Sequence, residues 1–386
     1  MYDISDAIRY AGVDDTGRKM FESQYPLPSG MSYNSYVVSG STHSAILDSV
    51  DAEYGDEWLD NLTAALEGRQ PDYLVMLHAE PDHSSNIVRA LVRWPGMKIV
   101  AGKAALQMLP QFFSGVDFAG RLMEVKEGDV IDLGDHRLRF YAAPMVHWPE
   151  VMVAFEESES VLFSADAFGR FGAVGLGGGW DDEARRYYAN IVGKYGNQVQ
   201  ALLRKLSQLT VDVIAPLHGP VLKSDLGHYL GLYEKWSRYE AERRGVLVAY
   251  ASVYGGTADA ALALAGMLRA SGCEVVAVDL AATDVSEAVS LAFKYDSMVL
   301  CSVTLDADMF PAMHRFLHHL QSKGLRGRRV GLVENGSWAP VAARKMSAML
   351  SAMNDMTVVG EPVTIRSRLS DDSLRALREL ASQIDS

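Results

Sequence analysis

Residues 78–83 read HAEPDH, which puts His78, Glu80, Asp82 and His83 into six positions directly behind the apolar run YLVML. Imidazole and carboxylate are ligands for hard and borderline metal ions, so the cluster is either a polar loop closing a strand or one edge of a metal site. His147 in YAAPMVHWPE, Asp166 in VLFSADAFG and His218 in VDVIAPLHGP each stand at the end of a further apolar run. One such residue is ordinarily a turn cap or a satisfied core histidine. Four cases in one region, all Asp, Glu or His, are hard to attribute to caps. Four imidazoles and three carboxylates can hold two metals, with one carboxylate bridging. Strand alternation would put His78 and Glu80 on one side, with Asp82 and His83 in a loop entering a helix. Neither cysteine, Cys273 or Cys301, belongs to the set, which lowers the case for a soft zinc site.

The second half holds a different candidate. YASVYGGTADAAL joins an apolar strand to a helix. Ser252, Val253, Tyr254, Gly255, Gly256 and Thr257 form a loop whose N–H groups and hydroxyls could close around one phosphate, with the helix N-terminus behind it. The spacing is neither GxxxxGK[ST] nor GxGxxG, so a mononucleotide such as FMN suits it better than a dinucleotide. An ordinary βα turn with a threonine cap explains this loop equally well on its own. Two further strand ends, CSVTLDADMFP and VENGSWAP, are rich in small and polar residues. Ligands of open parallel sheets lie at such ends, and Trp338 could lie against a flavin ring there.

These residues need scaffolds. A chain of 386 residues predicts two domains. A composition 48% hydrophobic and 22% charged is that of a packed globular protein. The net charge of −13 argues against a nucleic-acid binder. Two cysteines without a CxxC pair exclude a zinc ribbon and a disulfide framework, which suits a reducing cytoplasm. The N-terminus lacks the pattern of a signal peptide, and no apolar stretch is long enough to span a membrane. The first half alternates short β-like runs (SYNSYVVSG, HSAILDSV, DYLVMLHAE, MKIVAG, HRLRFYAAP, VMVAFEES, ESVLFSAD) with helical patterns at 57–67 and 84–92. Residues 181–208 carry the three- and four-residue apolar spacing of an amphipathic helix. After SRYEAERRG the pattern becomes a regular β–α alternation of five strands, which reads as a doubly wound domain. The boundary is placed near residue 244, giving domains 1–244 and 245–386.

The ligand order resembles the metallo-β-lactamase fold, whose zinc hydrolases carry H-x-H-x-D-H. Glu80 replaces the second histidine and moves the preference toward iron or manganese. The second half resembles flavodoxin. Together, H-x-E-x-D-H and a flavodoxin-like half resemble a flavodiiron protein (A-type flavoprotein) over essentially the whole chain, through GMSYNSYVV, HAEPDHSSN, MVHWP, SADAFG, RRYYANIVGKYG, PLHGP and VENGSWAP. The resemblance implies an α/β chain: a metallo-β-lactamase-like αββα sandwich, then a flavodoxin-like five-stranded parallel sheet. It implies two non-haem irons, one on His78, Glu80 and His147, the other on Asp82, His83 and His218, with Asp166 bridging. The family varies in whether the residue at the His83 position stays bound. For FMN it implies phosphate contacts from Ser252–Thr257. Ring contacts would come from Ser302, Val303, Thr304, Leu305 and Asp306 and from Gly336, Ser337, Trp338 and Ala339. Leu305 stands where relatives often place an aromatic.

By the same resemblance the chain is an oxidoreductase that reduces dioxygen to water, nitric oxide to nitrous oxide, or both. Two ferrous ions and a reduced flavin together hold the electrons that dioxygen needs. The electron donor would be rubredoxin or a reduced deazaflavin, because the chain carries no further electron-transfer module. The family assembly is a head-to-tail homodimer, or a dimer of such dimers, with each flavin beside the partner's diiron site. Tyr25, Trp148 and Tyr187 are candidates to line the pocket, although packing explains each. The run GLGGGW (175–180) reads as a surface loop or lid, and Glu150 has no assigned role. Two rivals remain: a zinc hydrolase fused to a flavin module, against which Glu80 argues, and a flavin electron carrier with a vestigial first domain, against which the full ligand set argues.

Overall fold

Short β-branched and aromatic runs, too brief to be stable alone, are stacked into sheets whose connecting loops carry the polar residues. The computed structural model describes residues 3–385. It separates into two units: residues up to Tyr187 with Asn197–Glu234, and Tyr188–Gly196 with the residues from Lys235 onward.

The first unit holds a six-stranded sheet in the order Ile8–Tyr10, Tyr36–Ser39, Ser44–Leu47, Tyr73–Val75, Lys98–Gly102, Leu122–Val125. A five-stranded sheet follows: Val130–Asp132, Arg137–Ala142, Met152–Glu156, Val161–Phe163, Val213–Ala215. With their helices they form the metallo-β-lactamase-like αββα sandwich. Ser44–Leu47, Tyr73–Val75 and Lys98–Gly102 run parallel, as do Val161–Phe163 and Val213–Ala215. Polar loops therefore leave the carboxyl ends of these strands. The antiparallel pair Arg137–Ala142 and Met152–Glu156 adds a hairpin whose connection, residues 143–151, bears His147.

The second unit is a parallel sheet in the order Val275–Asp279, Arg243–Ala251, Tyr295–Leu305, Arg328–Asn335, Met356–Val358. In chain order this is 2-1-3-4-5, the flavodoxin-like arrangement with its switch point between the first and third strands. The core is apolar and fully buried around Val248, Leu264, Val299 and Val333. Helices Gly256–Ala270 and Asp371–Asp385 pack together over the sheet.

Three expectations change. Residues 181–208 are not one helix: Asp181–Tyr187 gives way to a π-turn at Tyr188–Val192, a 3-10 turn at Gly193–Tyr195, then helix Gly196–Leu206. The break leaves burial intact, since every residue of Tyr188–Val192 is buried; Gly196 serves close approach instead, because a Cβ there would lie 2.3 Å from the Ser237 carbonyl oxygen. The fifth strand is split: Met356–Val358 and Val363–Ile365 pair with different parts of Arg328–Asn335, around Gly360 and Pro362. His78 and Glu80 lie beyond strand Tyr73–Val75, and Glu80 is the N-cap of the short helix Pro81–Ser84. Strand alternation is therefore not what brings them together, and Asp82 and His83 lie inside that helix.

Candidate metal centre and cofactor cavity

Each loop at the metal cluster is fixed by its own polar clamp. Asp48, at the end of strand Ser44–Leu47, accepts from the N–H groups of Leu77 and His78 at 2.8 and 3.2 Å. Ser49 holds the His83 carbonyl through its N–H and hydroxyl. Asn34 donates to the carbonyls of Pro216 and Gly219, both at 2.8 Å, and Tyr36 donates to Pro216 at 2.7 Å. The sequence GMSYNSYVV is thereby explained as the brace of the loop carrying His218. Gly219 has φ +81, and a Cβ there would lie 2.7 Å from Arg170 Cγ, so this turn needs glycine. Across the 143–151 hairpin, Met145 N–H donates to the Trp148 carbonyl at 2.7 Å.

The seven side chains converge as two groups: His78, Glu80, His147 and Asp166, and Asp82, His83 and His218. Glu80 Oε2 lies 3.1 Å from His78 Nε2 and 3.0 Å from His147 Nε2. Asp166 faces both groups with separate oxygens. Its Oδ2 is 3.0 Å from His147 Nε2 and 3.6 Å from His78 Nε2; its Oδ1 is 3.2 Å from His83 Nε2 and 3.8 Å from His218 Nε2. His83 and His218 turn their Nε2 atoms on each other at 3.1 Å, with Asp82 Oδ2 at 3.3 and 3.4 Å.

The charges reinforce this reading. Burial would lower the His78 imidazole, but Asp166, Glu150 and Glu80 hold its pKa well above the ordinary value. Burial opposes, and the hydrogen bonds to Asp166 and Glu80 drive, a His147 pKa near 9. Burial would raise Glu80, yet His147 and His78 bring it down to about 2. The carboxylates thus favour positive charge at His78 and His147, where a cation is wanted. All four carboxylate oxygens of Asp82 and Asp166 are buried without a properly directed hydrogen bond. Their ion-pair partners among the described residues are the imidazoles alone; carboxylates buried with so little support are costly in an interior, and two divalent cations would satisfy them. The donor set, oxygen and imidazole nitrogen without thiolate, fits iron.

The imidazole nitrogens that face away differ in support. His78 Nδ1 meets Glu150 Oε1 at 2.8 Å, and the same oxygen accepts from Ala79 N–H at 2.9 Å. His218 Nδ1 donates to the Ser32 carbonyl at 2.7 Å. His83 Nδ1 is buried with no partner among the described residues. Glu150, which sequence reasoning left without a role, is thus an anchor of His78. It lies two residues ahead of the wholly buried strand Met152–Glu156, a placement that gives no signal in the sequence alone. Trp148 sets its ring perpendicular to His78 at 5.4 Å. Tyr187 is buried 5.5 Å from the His218 ring, and burial, then Asp166, Glu80 and Asp82, push its hydroxyl pKa well up, so it is a neutral donor. Tyr25 packs on Phe171 at 5.9 Å. Residues 175–179 form an exposed loop tied by Arg170 to the Gly177 carbonyl at 3.0 Å.

In the second unit a cavity of about 540 Å³ opens at the carboxyl ends of the strands. It is lined by Ser252, Val253, Tyr254, Gly256 and Thr257, by Val303–Asp306, and by Gly336–Ala339. Gly255 and Ser302 do not line it. The Ser302 hydroxyl accepts from Phe310 N–H and donates to the Val303 carbonyl. Asn335, Ser367 and Arg368 line it too, and sequence reasoning missed them. The Ser252 hydroxyl is buried without a hydrogen-bond partner among the described residues, beside the N-terminus of helix Gly256–Ala270, as a phosphate contact would require. Tyr254 and Trp338, 89% and 81% exposed, flank the opening as aromatic surfaces for a ring.

Residues 31–219 match the ODP family beta lactamase. The chain is 28% identical over 371 residues to a nitric oxide reductase of Moorella thermoacetica, covering 93% of this chain and 91% of that protein. Its relatives are named nitric oxide reductases, type A flavoproteins and diflavin flavoproteins. Two solved structures share its fold end to end. One is the rubredoxin oxygen:oxidoreductase of Desulfovibrio gigas (24% identity, TM-score 0.90, 99% and 97% of the two chains covered). The other is the flavodiiron protein of Giardia intestinalis (22%, 0.89, 100% and 95%). The chain spans about half the length of the diflavin flavoproteins it also matches. The names of these proteins are those of oxidoreductases, flavoproteins and flavodiiron proteins.

Proposed function

We propose that this chain is a flavodiiron protein, which reduces dioxygen to water, nitric oxide to nitrous oxide, or both. His78, Glu80 and His147 would hold one iron, Asp82, His83 and His218 the other, and Asp166 both. The observation that carries this reading is Asp166, whose two buried oxygens serve different groups of ligands. A pair of ferrous ions so placed supplies electrons and open positions to a small diatomic gas. The chain's own residues fix the geometry: Glu150 and the Ser32 carbonyl orient two imidazoles, and Tyr187 offers a buried, neutral proton donor beside Asp166. The cavity over Ser252–Thr257, Val303–Asp306 and Gly336–Ala339 has the shape and polarity for FMN, which would pass electrons to the irons.

The electrons come from a separate donor, a rubredoxin or a reduced deazaflavin, and the working assembly is a head-to-tail homodimer. The functional division falls near residue 244, as 1–244 and 245–386, although Tyr188–Gly196 and the residues from Lys235 pack with the second unit. No helix among the described residues is long and apolar enough to cross a membrane. The test is steady-state turnover of the two gases side by side, with reduced rubredoxin as donor. Consumption of at least one gas well above that of free flavin supports the reading; flavin-level rates with both gases defeat it.

A further inference from the structure

The cavity contains a cation at an unexpected place. Arg368 lies past the fifth strand, a position that the first, third and fourth strand-end loops do not include. It is the one basic residue among those lining the cavity, and Asp306 is the one acidic residue. Its presentation is built rather than incidental. Arg368 N–H donates to the Arg366 carbonyl at 2.8 Å, closing a three-residue turn around Ser367, whose φ is +67. A non-glycine residue at the centre of such a turn is strained, and strain of this kind persists only where the surroundings impose it. The buried Asn335 side chain imposes it from both sides: its Oδ1 accepts from Ser367 N–H at 3.0 Å and its Nδ2 donates to the Ser367 carbonyl at 3.3 Å.

The turn is pressed onto the candidate phosphate loop. A Cβ at Gly256 would lie 2.0 Å from the Ser367 carbonyl oxygen, so Gly256 is the residue that permits this contact. A Cβ at Gly255 would lie 3.8 Å from Arg368 Nη1. The guanidinium therefore reaches the start of helix Gly256–Ala270, and it lines the same cavity as Ser252, whose hydroxyl has no hydrogen-bond partner among the described residues. There it meets Asp259 Oδ2 at 3.1 Å. Both partners are exposed, with side chains 69% and 55% accessible, so the pair is weakly held and open to exchange.

We infer that Arg368 is a phosphate clamp: it binds the flavin's terminal phosphate and makes the cavity selective for FMN over riboflavin, with Asp259 its counterion when the phosphate is absent. This rests on the flavin reading of the cavity. A loop of neutral N–H and hydroxyl donors can hold a dianion, but a guanidinium adds charge-assisted, paired hydrogen bonds. Asp259 then competes with the phosphate for the same cation and repels it, so removing that carboxylate favours the ligand.

Flavin-free protein titrated with FMN and, separately, with riboflavin, followed by quenching of flavin fluorescence, tests this without any turnover. R368A should weaken FMN by roughly tenfold or more and leave riboflavin within about twofold. The FMN loss should shrink at high salt. D259N should tighten FMN and leave riboflavin unchanged. A merely structural role for Arg368 would weaken both flavins equally, and that result, or unchanged FMN affinity in R368A, overturns the inference. Parent protein that takes up neither flavin instead overturns the flavin reading on which it rests.

Discussion

His78, His218 and His83 differ in what holds the nitrogen turned away from the cluster, and that difference ranks them. His78 leans on Glu150 and His218 on the Ser32 carbonyl, whereas His83 Nδ1 has no such partner among the described residues. An anchored imidazole is the stronger ligand because its tautomer and ring plane are fixed before the metal arrives. H83N should therefore retain more iron than H218N when both are dialysed against the same chelator; equal loss would contradict the ranking. E150A should weaken iron at the first group by roughly ten- to hundredfold in chelator competition, with E150D intermediate. Iron affinity equal to the parent's would remove Glu150 from the account. The seven candidate ligands were legible because four cluster directly behind one apolar run and three more each end a further one. Glu150 was not, since a carboxylate next to proline and ahead of a strand reads as a surface turn until its burial is known. Arg368 was equally hidden, because one more arginine in RSRLS carries no pattern.

The strands deliver these residues only while their loops are clamped. Asn34 caps two buried carbonyls of the 216–219 loop, and truncating it leaves both without a donor. N34A should cost about 2–3 kcal/mol, seen as a lower urea midpoint; a loss under about 0.5 kcal/mol would mean that the loop is held elsewhere. The strand Met31–Tyr33, which supplies the Ser32 carbonyl, pairs with Val13–Asp15. Asp15 there is buried and meets Arg18 Nε at 2.8 Å. Burial raises the Asp15 carboxyl, but the hydrogen bonds from Arg18 and Tyr54 leave its pKa below the ordinary value. A carboxylate depressed in the folded state stabilises above its unfolded pKa of about 3.9, and that contribution is lost as pH falls through the folded value. D15N should thus melt below the parent at pH 7, with the gap closing as pH is lowered past about 4; a gap independent of pH would exclude this linkage. Element types were legible from periodicity, but the break at 188–195 and the split fifth strand were not. The π-turn keeps the apolar pattern that a sequence displays, and the split strand turns at Gly360, whose φ is +68.

For the whole molecule, composition and the change of pattern near residue 244 indicate two α/β parts. Contacts add what composition cannot: Tyr188–Gly196 clusters with the second unit although it lies within the first half of the chain. Nothing local marks such a segment, because its allegiance is decided by long-range packing. The two parts are complementary in chemistry, one collecting oxygen and imidazole ligands around buried carboxylates, the other a cavity with a phosphate loop and flanking aromatics. The account stands on their being a diiron centre and a flavin site in one chain. The direct test is metal and flavin analysis of protein produced with iron and flavin in excess and purified without oxygen. Two irons and one FMN per chain are expected, falling to at most one tightly held iron in D166A. Zinc without iron, or full iron retention in D166A, would contradict it.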